Sequence, residues 1–296
     1  MQDKVSVGGP VPNDGPDARM ARYWNGSATA PWVTLQDRLD ALLGPPGTAA
    51  LSQAGPKGGE HVLDVGCGCG ATTLEFARLV GKPGRVLGVD ISERMLARAR
   101  ERVVENGLTQ VGLALADAGT YSFEPETFDV IYSRLGIMFF GSPVAAFANL
   151  RSALKPSGRI TFLCCRTPAE NTYISTAVQA AKPLLPPDAV PIPAPGEPGM
   201  FSLADPSRVQ DILERAGFRD VELRRHDERM RLAGPGKAIE AADFSLQFGP
   251  LTRVLDDAPP ALKEAILSAV AEAYRLIEGP EGIIAQGAFW IVRARR

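Results

Sequence analysis

The stretch that decides the fold is VLDVGCGCG, which runs from Val62 to Gly70. Its apolar start is typical of a buried strand, and the alternating glycines that follow are typical of a tight turn before a helix. Glycine lets the backbone approach a ligand closely, and the first N–H groups of a helix have no partner within that helix. Ligands of open parallel sheets bind at the carboxyl ends of the strands. We therefore expect a ligand site here, built on Gly66, Gly68 and Gly70.

Strand-like and helical patterns alternate along the rest of the chain. Seven strands are predicted, at Glu60–Val65, Arg85–Asp90, Val111–Ala116, Phe128–Ser133, Arg159–Cys165, Asp220–Arg225 and Gly282–Arg293. Helical patterns separate most of them, which indicates βαβ units. The sequence therefore predicts an α/β fold with a doubly wound, mostly parallel sheet.

Length and composition are those of an ordinary globular protein. The 296 residues are 45% hydrophobic and 22% charged, with a formal net charge of -2. This balance gives no electrostatic reason to expect nucleic-acid binding. No run of 18 apolar residues occurs, so we expect no membrane span. The polar, Gly/Pro-broken start of the chain argues against a secretory signal peptide.

The four cysteines occur as two close pairs, Cys67 with Cys69 and Cys164 with Cys165. Cysteines this close in sequence rarely bridge each other, and their spacing does not match a zinc framework. We expect reduced thiols in a cytoplasmic protein, without a bound metal.

The predicted domain organisation is a flexible tail over residues 1–21 and a single domain over 22–296. Within that domain we expect an N-terminal cap at 22–58, a ligand-binding core at 59–166, a lid at 167–205 and a C-terminal part at 206–296. The cap combines a helix at Pro31–Leu43 with a Gly/Pro-rich linker at Gly44–Gly59. Seven prolines between Pro183 and Pro198 favour an irregular lid.

Two acidic residues restrict the ligand. Asp90 ends the second strand, 90 − 70 = 20 residues after Gly70, where a carboxylate accepts hydrogen bonds from ribose hydroxyls. Helix capping is the alternative role of Asp90. The glycines also fit the looser dinucleotide pattern, which would make the protein an NAD(P)-dependent oxidoreductase. Asp64, however, would repel a pyrophosphate and attract an ammonium group, so we infer a ligand with a ribose, a positive amino group and no phosphate.

With these features, the stretch from about Glu60 to Cys165 resembles the class I S-adenosylmethionine-dependent methyltransferases, especially the small-molecule enzymes of the ubiquinone/menaquinone-biosynthesis type. The resemblance implies a Rossmann-like sheet whose last strand is antiparallel. It implies that Asp64 and the backbone of Gly66, Gly68 and Gly70 hold the methionine part of the cofactor. For the remaining parts of the cofactor it implies Asp90 at the ribose, Ile91 on the adenine, Asp117 and Ala118 at the adenine amino group, and Ser133 and Arg134 along the sulfonium.

The activity that the resemblance implies is methyl transfer from S-adenosylmethionine to an O, C or N atom, with S-adenosylhomocysteine as product. The acceptor is expected to be a small, apolar or aromatic metabolite, bound near Met138, Phe139, Phe201 and Phe244. A non-catalytic S-adenosylmethionine-binding protein is the alternative within the same resemblance. We expect a monomer or a homodimer.

Two further expectations concern residues outside the glycine turn. His226 follows a predicted strand and is the candidate general base, provided that this strand is parallel and ends at the ligand edge. An N-terminal aromatic helix folds over the cofactor in related enzymes. Tyr23, Trp24 and Trp32 are the matching residues here, with simple core packing as the alternative.

Overall fold

Seven strands of the protein form one continuous sheet in the computed structural model, which describes residues 16–26, 29–187, 189–190 and 197–296. An eighth, two-residue strand pairs with the last one. The strands are β1 (His61–Val65), β2 (Arg85–Asp90), β3 (Val111–Leu115), β4 (Phe128–Arg134), β5 (Leu154–Cys165), β6 (Arg219–Ala233), β7 (Glu278–Gly279) and β8 (Gly282–Arg295).

The strand order is β3-β2-β1-β4-β5-β8-β6. Strands β1 to β5 are parallel, whereas β8 runs antiparallel to both β5 and β6. The predicted doubly wound sheet with an antiparallel last strand is confirmed. The order reverses between β1 and β4, whose carboxyl ends therefore border the crevice where ligands of such sheets bind.

Helices flank both faces of this sheet. They are α1 (Pro16–Asn25), α2 (Ala30–Thr34), α3 (Gln36–Ala54), α4 (Ala71–Val80), α5 (Glu93–Glu105), α6 (Pro143–Ala153), α7 (Thr172–Ala181), α8 (Pro206–Arg215), α9 (Ala238–Gln247), α10 (Thr252–Asp256) and α11 (Pro260–Arg275). No helix within the described ranges combines the length and apolar character that a bilayer crossing requires.

The central strands are apolar on both faces because helices cover both sides. Leu63 of β1, Ile131 of β4 and Phe162 of β5 are fully buried. Burying one such side chain contributes about 1.5–3 kcal/mol of hydrophobic free energy. This packed centre fixes the ends of β1 and β4. The glycine turn follows β1 directly.

The N-terminal boundaries differ from the prediction. Residues 1–15 of the predicted tail lie outside the described residues, and residues 16–21 belong to α1. The predicted linker is largely helical, because α3 continues through Pro45 and Pro46 to Ala54. Its buried side chains recur at helical spacing and pack on β4, β5 and β8. Packing of this face outweighs the backbone hydrogen bonds that the prolines remove.

The predicted lid at 167–205 contains both core and cavity wall. Residues 188 and 191–196 of this segment lie outside the described residues. Helix α7 is part of the core, because it packs against α9, α11 and β8. Asn171, just before α7, is fully buried and bonds both the carbonyl and the N–H of Ala288 in β8. Residues 197–201, in contrast, line the ligand cavity.

Candidate functional site

A cavity of about 910 Å³ opens at the carboxyl edge of the sheet, at the point where the strand order reverses. One end is formed by the glycine turn and by the ends of β2 and β4. The other end is lined mainly by apolar and aromatic side chains from α7, from residues 198–201 and from the segment after α9. A cavity of this size is at the upper end of the range for small-molecule sites. It therefore provides room for two ligands side by side.

The turn after β1 requires glycine at defined positions. Gly66, Gly68 and Gly70 have φ angles of +69°, +53° and +85°, which favour glycine. A Cβ on Gly66 would lie 2.8 Å from the Cα of Gly136, in the loop after β4. Gly66 and Gly68 line the cavity. Gly70 precedes α4 and is not among the described residues that line the cavity, so its predicted ligand contact stays a prediction.

Asp90 lies at the end of β2 and is almost fully buried in the cavity wall. Its Oδ2 accepts a hydrogen bond from the N–H of Gly68 at 2.7 Å, and its Oδ1 accepts one from the N–H of Ser92 at 2.9 Å. Burial raises the pKa of Asp90 to about 6, although these N–H groups oppose the shift. Each carboxylate oxygen retains a lone pair for a ligand hydroxyl.

Three other predicted cofactor residues line the cavity next to Asp90. Ile91 follows it directly, and Asp117 and Ala118 follow β3, the neighbouring strand. The cofactor contacts that the resemblance implies for these residues stay a prediction. Asp117 Oδ1 also accepts a hydrogen bond from the N–H of Gly119, which holds this loop in place.

Asp64 lies behind the cavity wall rather than in it. The hydroxyls of Thr72 and Thr73 donate to its Oδ2 at 2.7 and 2.6 Å, while Oδ1 has no partner among the described residues. Burial raises the pKa of this fully buried carboxyl. The predicted direct contact of Asp64 with the ligand therefore stays a prediction. It acts on the cavity through Thr72, which lines it.

The two residues of the predicted Ser133–Arg134 pair differ in their positions relative to the cavity. Ser133 is buried outside the wall, where its hydroxyl donates to Val65 O at 2.7 Å and accepts from Gly136 N at 3.2 Å. Ser133 therefore shapes the turn, which corrects its predicted place along the ligand. Arg134 does line the cavity, with its guanidinium 3.4 Å from Asp40.

The loop after β4 carries an unusual backbone at the cavity wall. Leu135 has a φ of +63°, in the left-handed region that leucine rarely adopts. Gly136 follows it and touches Gly66. Such conformations concentrate at ligand sites, where the surrounding structure holds them.

Helix α1 covers the polar end of the cavity. The ring of Trp24 packs edge-on against Trp32 at 5.8 Å and against Phe139 at 5.1 Å between centroids. Asn25 donates to Ile91 O at 2.9 Å and accepts from Glu93 N at 3.2 Å, which fixes α1 beside Asp90. All three rings line the cavity, so the N-terminal aromatics belong to the site.

The apolar end contains three of the four predicted substrate residues. Met138, Phe139 and Phe201 line it. Phe244 does not, because it is fully buried behind Phe248, whose ring lies 4.9 Å away and forms the wall. The guanidinium of Arg38 also packs on Phe244, 4.0 Å from the ring centroid. This position corrects the predicted role of Phe244.

His226 is not placed to act as the base. Strand β6 is parallel to β5, as the prediction required, but it extends to Ala233. His226 therefore lies in mid-strand opposite Phe289, with its Nε2 3.2 Å from Glu228. Neither of the two histidines, both within the described ranges, lines the cavity. The prediction failed because β6 is an edge strand. Its many charged residues do not follow the apolar pattern by which the end of a strand is predicted.

Several residues of the site were not found from the sequence. Asn25, Asp40 and Gly136 are examples. Gly136 carried a usable signal, since it follows a strand end as Gly66 does. Asn25 and Asp40 carried none, because their importance depends on which distant segment each one contacts. No group of three or more potential metal ligands occurs among the described residues.

The pKa of Asp90 leads to a pH-dependent ligand affinity. A ligand hydroxyl bonds best to the ionised carboxylate, which is the main form above about pH 6 and is lost as the pH falls. We expect S-adenosylhomocysteine to bind about tenfold more weakly at pH 5 than at pH 7 in calorimetric titrations. Asp90→Asn, which does not titrate, should give a flat profile. An equally steep profile in that variant would contradict this prediction.

Comparisons with known proteins agree with this geometry. A methyltransferase domain family matches residues 56–217, which is more than half of the chain. Nocamycin O-methyltransferase of Saccharothrix syringae is 32% identical over 62% of this chain and 68% of its own length. Aklanonic acid methyltransferase of a Streptomyces species is 36% identical over 43% of this chain. A ubiquinone/menaquinone biosynthesis C-methyltransferase of Teredinibacter turnerae is 39% identical over 38% of it. The chain spans 58% and 46% of the lengths of these last two relatives.

Solved structures share the fold. The YcgJ protein from Bacillus subtilis has a TM-score of 0.55 at 16% identity, covering 86% of this chain and 98% of its own. Phosphoethanolamine N-methyltransferase 2 of Haemonchus contortus, solved with S-adenosyl-L-methionine, has a TM-score of 0.52 at 21% identity, covering 96% and 58%. The chain therefore belongs to the methyltransferase domain family, whose methyl donor is S-adenosylmethionine.

Proposed function

We propose that the protein transfers the methyl group of S-adenosylmethionine to a small, largely apolar or aromatic metabolite. The observation that carries this proposal is a single cavity with two unlike ends. The glycine turn and Asp90 form one end, and aromatic and aliphatic side chains form the other. A polar cofactor and an apolar acceptor would thus lie next to each other in one cavity.

The residues at the glycine-turn end of the cavity have the chemistry to bind S-adenosylmethionine. Asp90 offers lone pairs to the ribose hydroxyls, and Gly66 and Gly68 line the cavity without side chains. Ile91, Asp117 and Ala118 line the cavity and are the residues proposed to bind the adenine, and Arg134 lines the same cavity. The positive amino group would be held through Thr72, which connects the cavity to the buried Asp64.

S-adenosylmethionine supplies an already activated methyl group when it is bound. The chain therefore has to align the acceptor with that group and to exclude water. Helix α1, with Trp24 against Trp32 and Phe139, covers the site for this purpose. No proton is assigned to His226. An acceptor that arrives ionised, such as a carboxylate or an acidic phenol, needs no base.

The relatives favour an oxygen or carbon acceptor over nitrogen. One relative is named an O-methyltransferase and another a C-methyltransferase, while a third is named for aklanonic acid. The four cysteines are unpaired thiols, which supports a cytoplasmic protein. We retain the expectation of a monomer or a homodimer.

A transfer assay tests this proposal. The full chain is incubated with methyl-labelled S-adenosylmethionine and a panel of naphthoic acids, hydroxynaphthoates and naphthohydroquinones, with phosphoethanolamine as the polar comparison. We expect label in at least one organic-extractable aromatic product and none in phosphoethanolamine. Label in phosphoethanolamine alone would overturn the apolar-acceptor assignment. Cofactor binding without transfer to any acceptor would favour a non-catalytic binding protein.

A further inference from the structure

Three tyrosines among the described residues are almost fully buried, and one of them differs in its hydrogen bonding. The hydroxyl of Tyr132 donates to the carbonyl of Gly47 at 2.9 Å, and that of Tyr274 bonds the hydroxyl of Ser245 at 2.8 Å. The hydroxyl of Tyr173 instead has the thiol of Cys165 as its contact, at 3.9 Å. Sulfur is a weak hydrogen-bond acceptor. Tyr173 therefore lacks the oxygen partner that the other two tyrosines have.

Tyr173 is also the one of the three that lines the cavity. It lies near the start of α7, and Cys165 at the end of β5 forms the adjoining part of the wall. The surroundings are apolar, with Met138 in contact with the backbone of Cys165 and Ile174 following Tyr173 along the helix. The hydroxyl is thus a polar group within the apolar end of the site.

A buried tyrosine hydroxyl normally has a partner, and leaving it without a strong one is unfavourable. We propose that Tyr173 determines specificity by donating a hydrogen bond to a neutral carbonyl oxygen of a flat aromatic substrate. The carbonyl is neutral because a charged oxygen in this apolar wall would lose more solvation than one phenol returns. This inference rests on the proposed function, since it requires the acceptor substrate to occupy the apolar end.

The protonation state of Tyr173 is consistent with a donor. Burial raises the pKa of its hydroxyl well above the ordinary value. The phenol therefore keeps its proton at neutral pH and donates it to a hydrogen bond. A role as general base would require the opposite shift.

A pair of matched probes tests the inference without turnover. 2-Acetylnaphthalene carries a carbonyl, and 2-ethylnaphthalene has nearly the same shape without one. Their binding to the S-adenosylhomocysteine-loaded protein is measured by equilibrium dialysis, for the wild type and for Tyr173→Phe. The quantity compared is the affinity for the ketone divided by the affinity for the hydrocarbon. We expect this ratio to fall by about 2- to 12-fold in Tyr173→Phe, the range of one hydrogen bond.

Tyr274→Phe is the matched control, because it removes a buried tyrosine hydroxyl outside the cavity wall. It should keep the wild-type ratio, even if its melting temperature falls. An unchanged ratio in Tyr173→Phe, or no binding of the ketone to the wild type, would overturn the inference. Calorimetry with S-adenosylhomocysteine on the same samples separates the two proposals: if the wild type fails to bind it, the proposed function itself is wrong.

Discussion

Gly66→Ala is expected to destabilise the protein by about 2–5 kcal/mol and to abolish measurable cofactor binding. The new Cβ would lie 2.8 Å from the Cα of Gly136, so two backbone segments would have to separate. The φ of +69° at this position would also be strained for alanine. Urea unfolding followed by circular dichroism measures the first effect, and calorimetric titration with S-adenosylhomocysteine measures the second.

Gly44→Ala is the matched control for this substitution. Gly44 lies inside α3, and a Cβ there would meet no atom within 4 Å. Alanine is the better helix former, so this variant should be as stable as the wild type or up to about 1 kcal/mol more stable. If both variants unfolded at the same urea concentration, the close approach of Gly66 and Gly136 would not be a structural requirement.

Asp90→Ala is expected to weaken S-adenosylhomocysteine binding by about 10- to 150-fold, which corresponds to about 1.5–3 kcal/mol for hydrogen bonds to a charged group. The substitution removes the carboxylate that would bond the ribose. It also frees the N–H of Gly68, which Asp90 Oδ2 now fixes at 2.7 Å. Both changes reduce affinity at the same end of the cavity. Calorimetric titration at pH 7.5 measures the effect.

Asp129→Ala controls for the loss of an acidic residue in the sheet. Asp129 lies at the amino ends of the central strands, opposite the cavity. There it accepts hydrogen bonds from His61 N at 2.9 Å and Lys155 Nζ at 2.7 Å. Its loss should lower stability but leave the affinity for S-adenosylhomocysteine unchanged. An Asp90→Ala protein that binds as tightly as Asp129→Ala would show that Asp90 is a capping residue only.

The parts of the fold that follow from local pattern could be predicted from the sequence. The buried strands β1, β2 and β4 are recognisable in the sequence as apolar runs, and the turn after β1 is recognisable by its alternating glycines. The prediction of Asp90 at a strand end needed nothing beyond that pattern. The resemblance to class I methyltransferases implied Asp117 and Ala118 as further cofactor residues, and both line the same cavity as Gly66.

The differences from the prediction arise where packing, rather than local sequence pattern, decides where a residue lies. Helix α3 continues through two prolines because its buried face packs on the sheet, and no local pattern reports that. Phe244 is covered by Phe248, and His226 lies within a strand that continues beyond it. Asp64 was expected to contact the ligand, but it lies behind the cavity wall, where the hydroxyls of Thr72 and Thr73 bond it.

The cavity is expected to bind S-adenosylmethionine rather than a dinucleotide. The most direct measurement is calorimetric titration of the wild-type protein with S-adenosylmethionine, S-adenosylhomocysteine and NADH under the same conditions. We predict micromolar binding of both adenosyl ligands and no measurable binding of NADH. Binding of NADH without binding of either adenosyl ligand would contradict the account and return the protein to the oxidoreductase hypothesis.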